Sequence, residues 1–160
     1  MNKFSLLALL CLLVANFTGQ AQQATDIVPK PQQIILSDQK PVKVSSKTTI
    51  YFDAPYAKQA NHLKELLQAQ TGLALQVKPL PKNQQVSNAI VLQHDPSAAN
   101  RKEMYVLESG KDLITLKAQD VNGIVYGIQS LLQLVPLERE HDFKVEAVKI
   151  VDYPQYGYRG

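Results

Sequence analysis

The sequence predicts an α+β fold, in which one mixed β-sheet has two helices packed on it. Short apolar or alternating segments bounded by turn residues recur along the chain, which is typical of strands. Two longer segments carry apolar residues at helical spacing and are flanked by residues that start and stop helices. Hydrophobic residues make up 45% of the 160 residues, enough for the packed core of one domain.

The first strands follow an extended N-terminal segment. Pro29 and Pro31 fix an extended backbone and remove two hydrogen-bond donors, which favours the edge of a sheet. Residues 34–36 and 42–44 are predicted to be two short strands around a turn. Residues 48–52 are rich in β-branched and aromatic side chains and predict a third strand.

The first helix is predicted between Asp53 and Gly72. Asp53 is a candidate N-cap, and Pro55 falls in the first turn, where proline is tolerated. Leu63 and Leu67 belong to an apolar stripe that we expect to pack in the core. Gly72 is expected to end the helix in a left-handed conformation.

The middle of the chain returns to strands. Residues 73–77 alternate as a strand does, and Pro79 is expected to end that strand. Residues 89–92 form a continuous apolar run, which indicates a strand buried on both faces. Residues 104–108 and 113–118 are separated by turn residues and predict a hairpin.

The second helix is the most hydrophobic one and is expected to lie across the sheet. Asp120 begins it and Pro136 ends it. Gly123 and Gly127 each cost about 1 kcal/mol of helix propensity relative to alanine, so we expect them to allow close approach of the helix to the sheet. Residues 143–151 then alternate as one further strand.

Residues 1–21 have the pattern of an export signal. Lys3 precedes a short apolar run over residues 4–15, and small residues at 19 and 21 predict cleavage before Gln22. The run is too short to span a bilayer, which needs about 20 apolar residues. We therefore expect an exported protein, periplasmic or secreted, with no transmembrane segment after cleavage.

Several classes of function find no support in the residues. The net charge is +3, from 17 basic and 14 acidic residues without a basic cluster, which argues against nucleic acid as a partner. The one cysteine, Cys11, lies in the predicted signal, so no disulfide is expected. No metal-ligand or cofactor motif occurs, and the charged residues 138–142 are interpreted as a solvated loop. We thus expect no cofactor and no metal.

Three segments together resemble the N-terminal domain of the family 20 glycoside hydrolases, the β-N-acetylhexosaminidases. These are residues 27–32 after the signal, residues 123–134 in the second helix, and residues 150–160, which contain Asp-Tyr-Pro and Tyr-Arg-Gly. Their order and spacing match, and the resemblance covers essentially the whole chain after the signal.

The resemblance implies a division of the chain and a place for the chemistry. Residues 1–21 would be the signal peptide, 22–149 the α+β domain, and 150–160 the junction and first strand of a missing (β/α)8 catalytic barrel. Barrel active sites are built at the carboxyl ends of the strands. In the family, the arginine of Tyr-Arg-Gly binds hydroxyls of the terminal sugar, which implies that role for Arg159. A planar guanidinium can hold two adjacent hydroxyls.

The resemblance also implies the activity of the parent protein. Family members hydrolyse terminal β-linked GlcNAc or GalNAc with retention, using a Glu as general acid and an Asp that orients the attacking acetamido group of the substrate. No position of this chain matches that pair, so no catalytic residue is expected here. The expected partners are N-acetylhexosamine-containing glycans, bound through the barrel, and the barrel itself, on which the domain would pack. Two alternatives are the leading domain of a family 84 β-N-acetylglucosaminidase and a free-standing secreted module that binds glycans or docks a partner.

Overall fold

A computed structural model describes residues 26–98, 101–137 and 142–154. Within these residues the chain forms nine strands and two α-helices, and two short 3-10 turns cover Ala54–Tyr56 and Pro96–Ala98. The strands are β1 (Gln33–Leu36), β2 (Val42–Val44), β3 (Thr49–Phe52), β4 (Gln76–Pro79), β5 (Ala89–His94), β6 (Tyr105–Gly110), β7 (Leu113–Ala118), β8 (Phe143–Val145) and β9 (Val148–Asp152). The helices are α1 (Ala57–Thr71) and α2 (Val121–Gln133).

Seven of the nine described strands form a main sheet in the order β1-β9-β6-β7-β5-β3-β4. Strands β4, β3, β5 and β7 are mutually parallel, whereas β6, β9 and β1 pair antiparallel to their neighbours. Strands β2 and β8 form a separate two-stranded ribbon. The predicted mixed sheet with two helices is thereby confirmed, with the ribbon as an addition.

Both helices pack on one face of the main sheet and contact each other. Helix α1 buries Ala60, Leu63 and Leu67, as its apolar spacing predicts. On α2 the buried side chains include Ile124 and Leu131, whereas Val121, the first residue of the helix, is 41% exposed. The core therefore lies between the helix layer and the inner face of the main sheet.

Glycines bring α2 close to the sheet, as predicted. A Cβ on Gly123 would lie 2.5 Å from the backbone oxygen of Met104, and a Cβ on Gly127 would lie 2.2 Å from Cδ1 of Leu116. Such distances are far inside van der Waals contact, so a side chain at either position would require a shift of the helix or of its neighbours.

Helix ends follow the predicted chemistry with one exception. The side chain of Asp120 caps α2 by accepting from the backbone N–H of Gly123 at 2.8 Å, and Gly72 caps α1 with φ of +83°. Asp53 occupies the N-cap position of the 3-10 turn before α1, but its side chain makes no capping hydrogen bond. Its Oδ2 instead accepts from the backbone N–H of His94 at 2.8 Å, because the 3-10 turn intervenes and α1 begins only at Ala57.

Strands β1 and β2 form on either side of the predicted turn at residues 37–41, and β1 pairs with β9 whereas β2 pairs with β8. Two other strand predictions need correction. The strand after α1 covers Gln76–Pro79 rather than residues 73–77, and Pro79 is tolerated because β4 is an edge strand of the main sheet. The last predicted strand is two strands, since the chain leaves the ribbon after β8 and enters the main sheet at β9.

The predicted hairpin is confirmed. Gly110 pairs with Leu113, so the loop contains only Lys111 and Asp112, both with positive φ. Two such residues match the twist of the flanking strands and close the β6–β7 hairpin. Strand β5 next to it is buried on both faces from Ala89 to Leu92, as its continuous apolar run predicts.

The strap formed by residues 26–32 is tied to the helix layer. Ile27 and Pro31 are buried, and the side-chain amide of Gln133 bonds both backbone groups of Val28, at 2.8 and 3.0 Å. Val28 and Gln133 are 105 positions apart. The start of the described domain is therefore held against the carboxyl end of α2.

Candidate functional site

The predicted sugar-binding residue, Arg159, lies outside the described residues, as does His141 of the charged loop. Residues 150–160 are the third segment that resembles family 20, and the structure describes residues 150–154 of it. Strand β9 runs through Asp152 inside the main sheet, three positions beyond the predicted domain boundary at residue 149. The described part of this segment lies at the end of β9, where the chain leaves the sheet. We therefore take the residues around Asp152 and Tyr153 as the candidate site.

Asp152 joins the two ends of the described domain. Its side chain is buried, and its Oδ1 accepts a hydrogen bond from the backbone N–H of Gln32 at 3.3 Å. This amide is 120 positions away, in the strap. The sequence also predicts that Asp152 bonds backbone amides of its own turn, and most of that turn lies outside the described residues. In the sheet, Asp152 pairs with Tyr105 of β6. The exit point of the chain is thus fixed to both the strap and the sheet.

Tyr153, the next residue, is covered by Arg101. The guanidinium carbon lies 4.0 Å from the centre of the Tyr153 ring, within the distance of a cation–π contact. Arg101 comes from the segment before β6, and Tyr153 follows β9. Because β6 and β9 are antiparallel neighbours, the start of one and the end of the other meet at the same end of the sheet.

Arg101 also lines a cavity of about 310 Å³. Its walls include Asp95, Ser97, Tyr105 and Lys117. The cavity is therefore lined by both acidic and basic side chains. Oδ1 of Asp95 accepts from both the hydroxyl and the backbone N–H of Ser97, at 2.6 and 2.9 Å. These two hydrogen bonds lower the pKa of Asp95 below its usual value, and the bond from the Ser97 hydroxyl contributes most. This carboxylate therefore stays ionised.

Three aspartates gather at the carboxyl ends of the parallel strands. Asp53 follows β3, Asp95 follows β5 and Asp120 follows β7, which is the edge where open α/β sheets often bind ligands. Each carboxylate already accepts backbone hydrogen bonds. Those of Asp53 and Asp95 are given above, and Asp120 accepts from the N–H groups of Gly123 and Glu103, both at 2.8 Å. At this edge the three carboxylates therefore fix the backbone of the neighbouring loops and the amino end of α2.

Tyr56 and His94 lie in the same region. The Tyr56 hydroxyl donates to the backbone oxygen of Ala118 at 2.7 Å, so its oxygen is left to accept from Nδ1–H of His94, 3.2 Å away. Burial raises the pKa of Tyr56 to about 12, and the carboxylates of Asp120, Asp53 and Asp95 add to the rise. A tyrosine with this pKa stays neutral at physiological pH. Its ring packs in the core and its hydroxyl donates a hydrogen bond.

Across residues 26–98, 101–137 and 142–154, no group of three or more His, Cys, Asp or Glu side chains is arranged to hold a metal ion. Of the charged loop predicted at 138–142, Asp142 is described, and it pairs with Lys43 at 2.7 Å on the surface. In the same described ranges, no helix has the length and apolar character needed to cross a membrane.

Sequence reasoning missed Arg101, which it placed in a polar loop. The only clue in the sequence is where the two residues stand relative to the strands. Arg101 lies shortly before β6 and Tyr153 directly after β9, so the two residues meet only if β6 and β9 pair. That pairing joins positions more than forty residues apart, which no local pattern reveals.

Comparison with known proteins identifies the domain. The model of glycosyl hydrolase family 20, domain 2, matches residues 24–153. The chain belongs to glycosyl hydrolase family 20. A β-hexosaminidase of Porphyromonas gingivalis is 34% identical over 142 residues, which are 84% of this chain and 18% of the relative. The family is the first of the two that the sequence resembles, and the matched part is its non-catalytic domain 2.

Solved structures of family 20 enzymes share the fold. The exo-β-N-acetylglucosaminidase of Vibrio harveyi, solved with N-acetylglucosamine, superposes with a TM-score of 0.71 at 22% identity, over 86% of this chain and 20% of its own. The β-N-acetylhexosaminidase of Streptomyces coelicolor gives a TM-score of 0.69 at 25% identity, over 86% of this chain and 28% of its own. The chain thus spans about a fifth to a quarter of the length of the relatives it matches.

Proposed function

We propose that this chain is the leading domain of an exported β-N-acetylhexosaminidase, which removes terminal β-linked GlcNAc or GalNAc from glycans. The proposal rests on the family 20 match over residues 24–153, together with 34% identity to a β-hexosaminidase. The domain carries no catalytic pair and supports the enzyme by packing on a (β/α)8 barrel, whose first strand would begin within residues 150–160. The barrel would hold the catalytic Asp and Glu.

The proposed reaction proceeds with retention and uses the substrate as its own nucleophile. The acetamido oxygen attacks the anomeric carbon while the Glu protonates the departing glycosidic oxygen, and water then opens the cyclic intermediate. The Asp orients the acetamido group. Arg159 is proposed to bind hydroxyls of the terminal sugar, for which a guanidinium supplies two parallel donors.

The test compares the full-length protein with a fragment ending at Gly160. We expect the full-length protein to release chromophore from β-linked N-acetylglucosaminide and N-acetylgalactosaminide substrates, and we expect the fragment to be inert. The matching β-glucoside, which lacks the acetamido nucleophile, should be cleaved by neither. A full-length protein inactive on both acetamido substrates would exclude the proposed activity, and a continuation without a barrel would favour a free-standing module.

An arginine variant tests the proposed substrate contact in the same assay. Arg159→Ala should lower kcat/KM by about tenfold to a hundredfold, the range expected for loss of charge-assisted hydrogen bonds. Lys40→Ala removes an exposed positive charge and should leave kcat/KM unchanged. Export is checked on the mature protein, whose N-terminus should be Gln22.

A further inference from the structure

We propose that Arg101 is a positioning residue of the enzyme: its cation–π contact with Tyr153 fixes the direction in which the chain leaves this domain towards Arg159, the residue proposed above to bind sugar. The inference rests on the proposed function and deepens it. Tyr153 precedes Arg159 by six residues. A displaced exit segment would therefore pass its displacement to the start of the barrel.

The Arg101 side of the contact is anchored to the core. The backbone oxygen of Arg101 accepts from the N–H of Met104 at 3.4 Å, and the N–H of Glu103 donates to Oδ2 of Asp120 at 2.8 Å. Asp120 is also the N-cap of α2. The backbone oxygen of Arg101 therefore closes a turn with Met104, and Glu103 within that turn is bonded to the N-cap of the helix that spans the main sheet.

The Tyr153 side is anchored as well. Asp152, directly before it, pairs with Tyr105 in the main sheet and accepts from the backbone N–H of Gln32. Pro154, directly after it, has a restricted φ and no amide hydrogen to bond. The Tyr153 ring extends this anchoring by one residue, because Arg101 covers that ring.

The position of Arg101 argues against a purely structural role in the core. The residue is exposed, and it lines the cavity of about 310 Å³. Truncation of Arg101 therefore uncovers Tyr153 and removes little buried apolar area. We expect its effect to appear in the geometry of the exit segment more than in the stability of the domain.

The experiment is a double-mutant cycle in the full-length protein, assayed with a chromogenic N-acetylglucosaminide. Arg101→Ala and Tyr153→Leu should each raise KM about two- to fivefold at constant kcat, the most that loss of an exposed cation–π contact supplies. The double variant should be no worse than either single one. Tyr153→Phe keeps the ring and should match the wild type, and Lys102→Ala is the control for loss of a neighbouring charge.

The split between KM and kcat separates positioning from instability. A variant that is partly unfolded has fewer active molecules, which lowers the apparent kcat and leaves KM unchanged. Additive effects in the cycle, an unchanged KM in Arg101→Ala, or a loss confined to kcat would overturn the inference while leaving the proposed function intact. An inactive wild-type enzyme would overturn both.

Discussion

At the scale of single residues, Tyr56 combines a buried ring with a hydroxyl that donates to the oxygen of Ala118. Its pKa of about 12 lies above the value of about 10 for tyrosine in an unfolded chain. Between these two pH values the unfolded chain loses this proton and the folded one keeps it, so stability falls as the pH rises. Below about pH 10 the contribution is fully present.

The prediction concerns the difference in unfolding free energy between the wild type and Tyr56→Phe. At neutral pH the variant should be less stable by about 1 kcal/mol, because the oxygen of Ala118 loses its donor. The difference should then shrink as the pH rises from about 10 to about 12, because the folded wild type keeps a proton that its unfolded chain has lost. Urea unfolding across this range measures it, with Tyr51→Phe as control, and parallel curves for wild type and variant would contradict it.

At the scale of elements, helix propensity and steric overlap have opposite effects on stability at Gly123 of helix α2. Alanine there should gain about 1 kcal/mol of helix propensity. Its Cβ would, however, lie 2.5 Å from the backbone oxygen of Met104 and 2.9 Å from Cβ of Ala118. Backbone atoms cannot move aside as a side-chain end can, and overpacking of this kind costs about 1 to 3 kcal/mol.

We therefore predict that Gly123→Ala lowers the unfolding free energy by up to about 2 kcal/mol, despite the better helix former. Gln129→Ala, at an exposed position of the same helix, is the matched control and should be neutral or slightly stabilising. Denaturant unfolding of both variants measures the effect. A more stable Gly123→Ala would show that propensity outweighs the close contact.

The elements also show which parts of the fold a sequence reveals. The cap at Asp120, the end of α1 at Gly72 and the hairpin loop at Lys111 and Asp112 are encoded within a few residues, and each is confirmed. Strand partners are different. Strand β1 pairs with β9 although a turn and β2 follow β1 directly, because the choice depends on which apolar faces can be buried together.

The same distinction applies to the candidate site. The pattern of residues 150–154, in which an aromatic turn directly follows an apolar strand, is visible in the sequence. Their partners are not, because Gln32 and Arg101 reach Asp152 and Tyr153 only through the pairing of the sheet. The role of Arg159 stays a prediction.

At the scale of the whole molecule, the sheet order divides the domain into a well-protected centre and weaker margins. Strand β7 lies between β6 and β5, and its Ile114 and Leu116 are fully buried. Strand β4 lies at the opposite extreme, as an edge strand with exposed side chains at Gln76, Lys78 and Pro79. Opening β4 exposes little apolar surface, whereas opening β7 separates the helices from the sheet.

Native-state hydrogen exchange should therefore separate the two strands. We expect amides of β7 to exchange only by global unfolding, so that their protection falls steeply as urea is added. Amides of β4 should exchange by local opening, with less protection and little dependence on low urea concentrations, because few contacts hold an edge strand. If peptides from β4 and β7 instead gave the same free energy and the same urea dependence, the edge would belong to the cooperative core, and β4 would unfold together with α1 and β3, which it contacts.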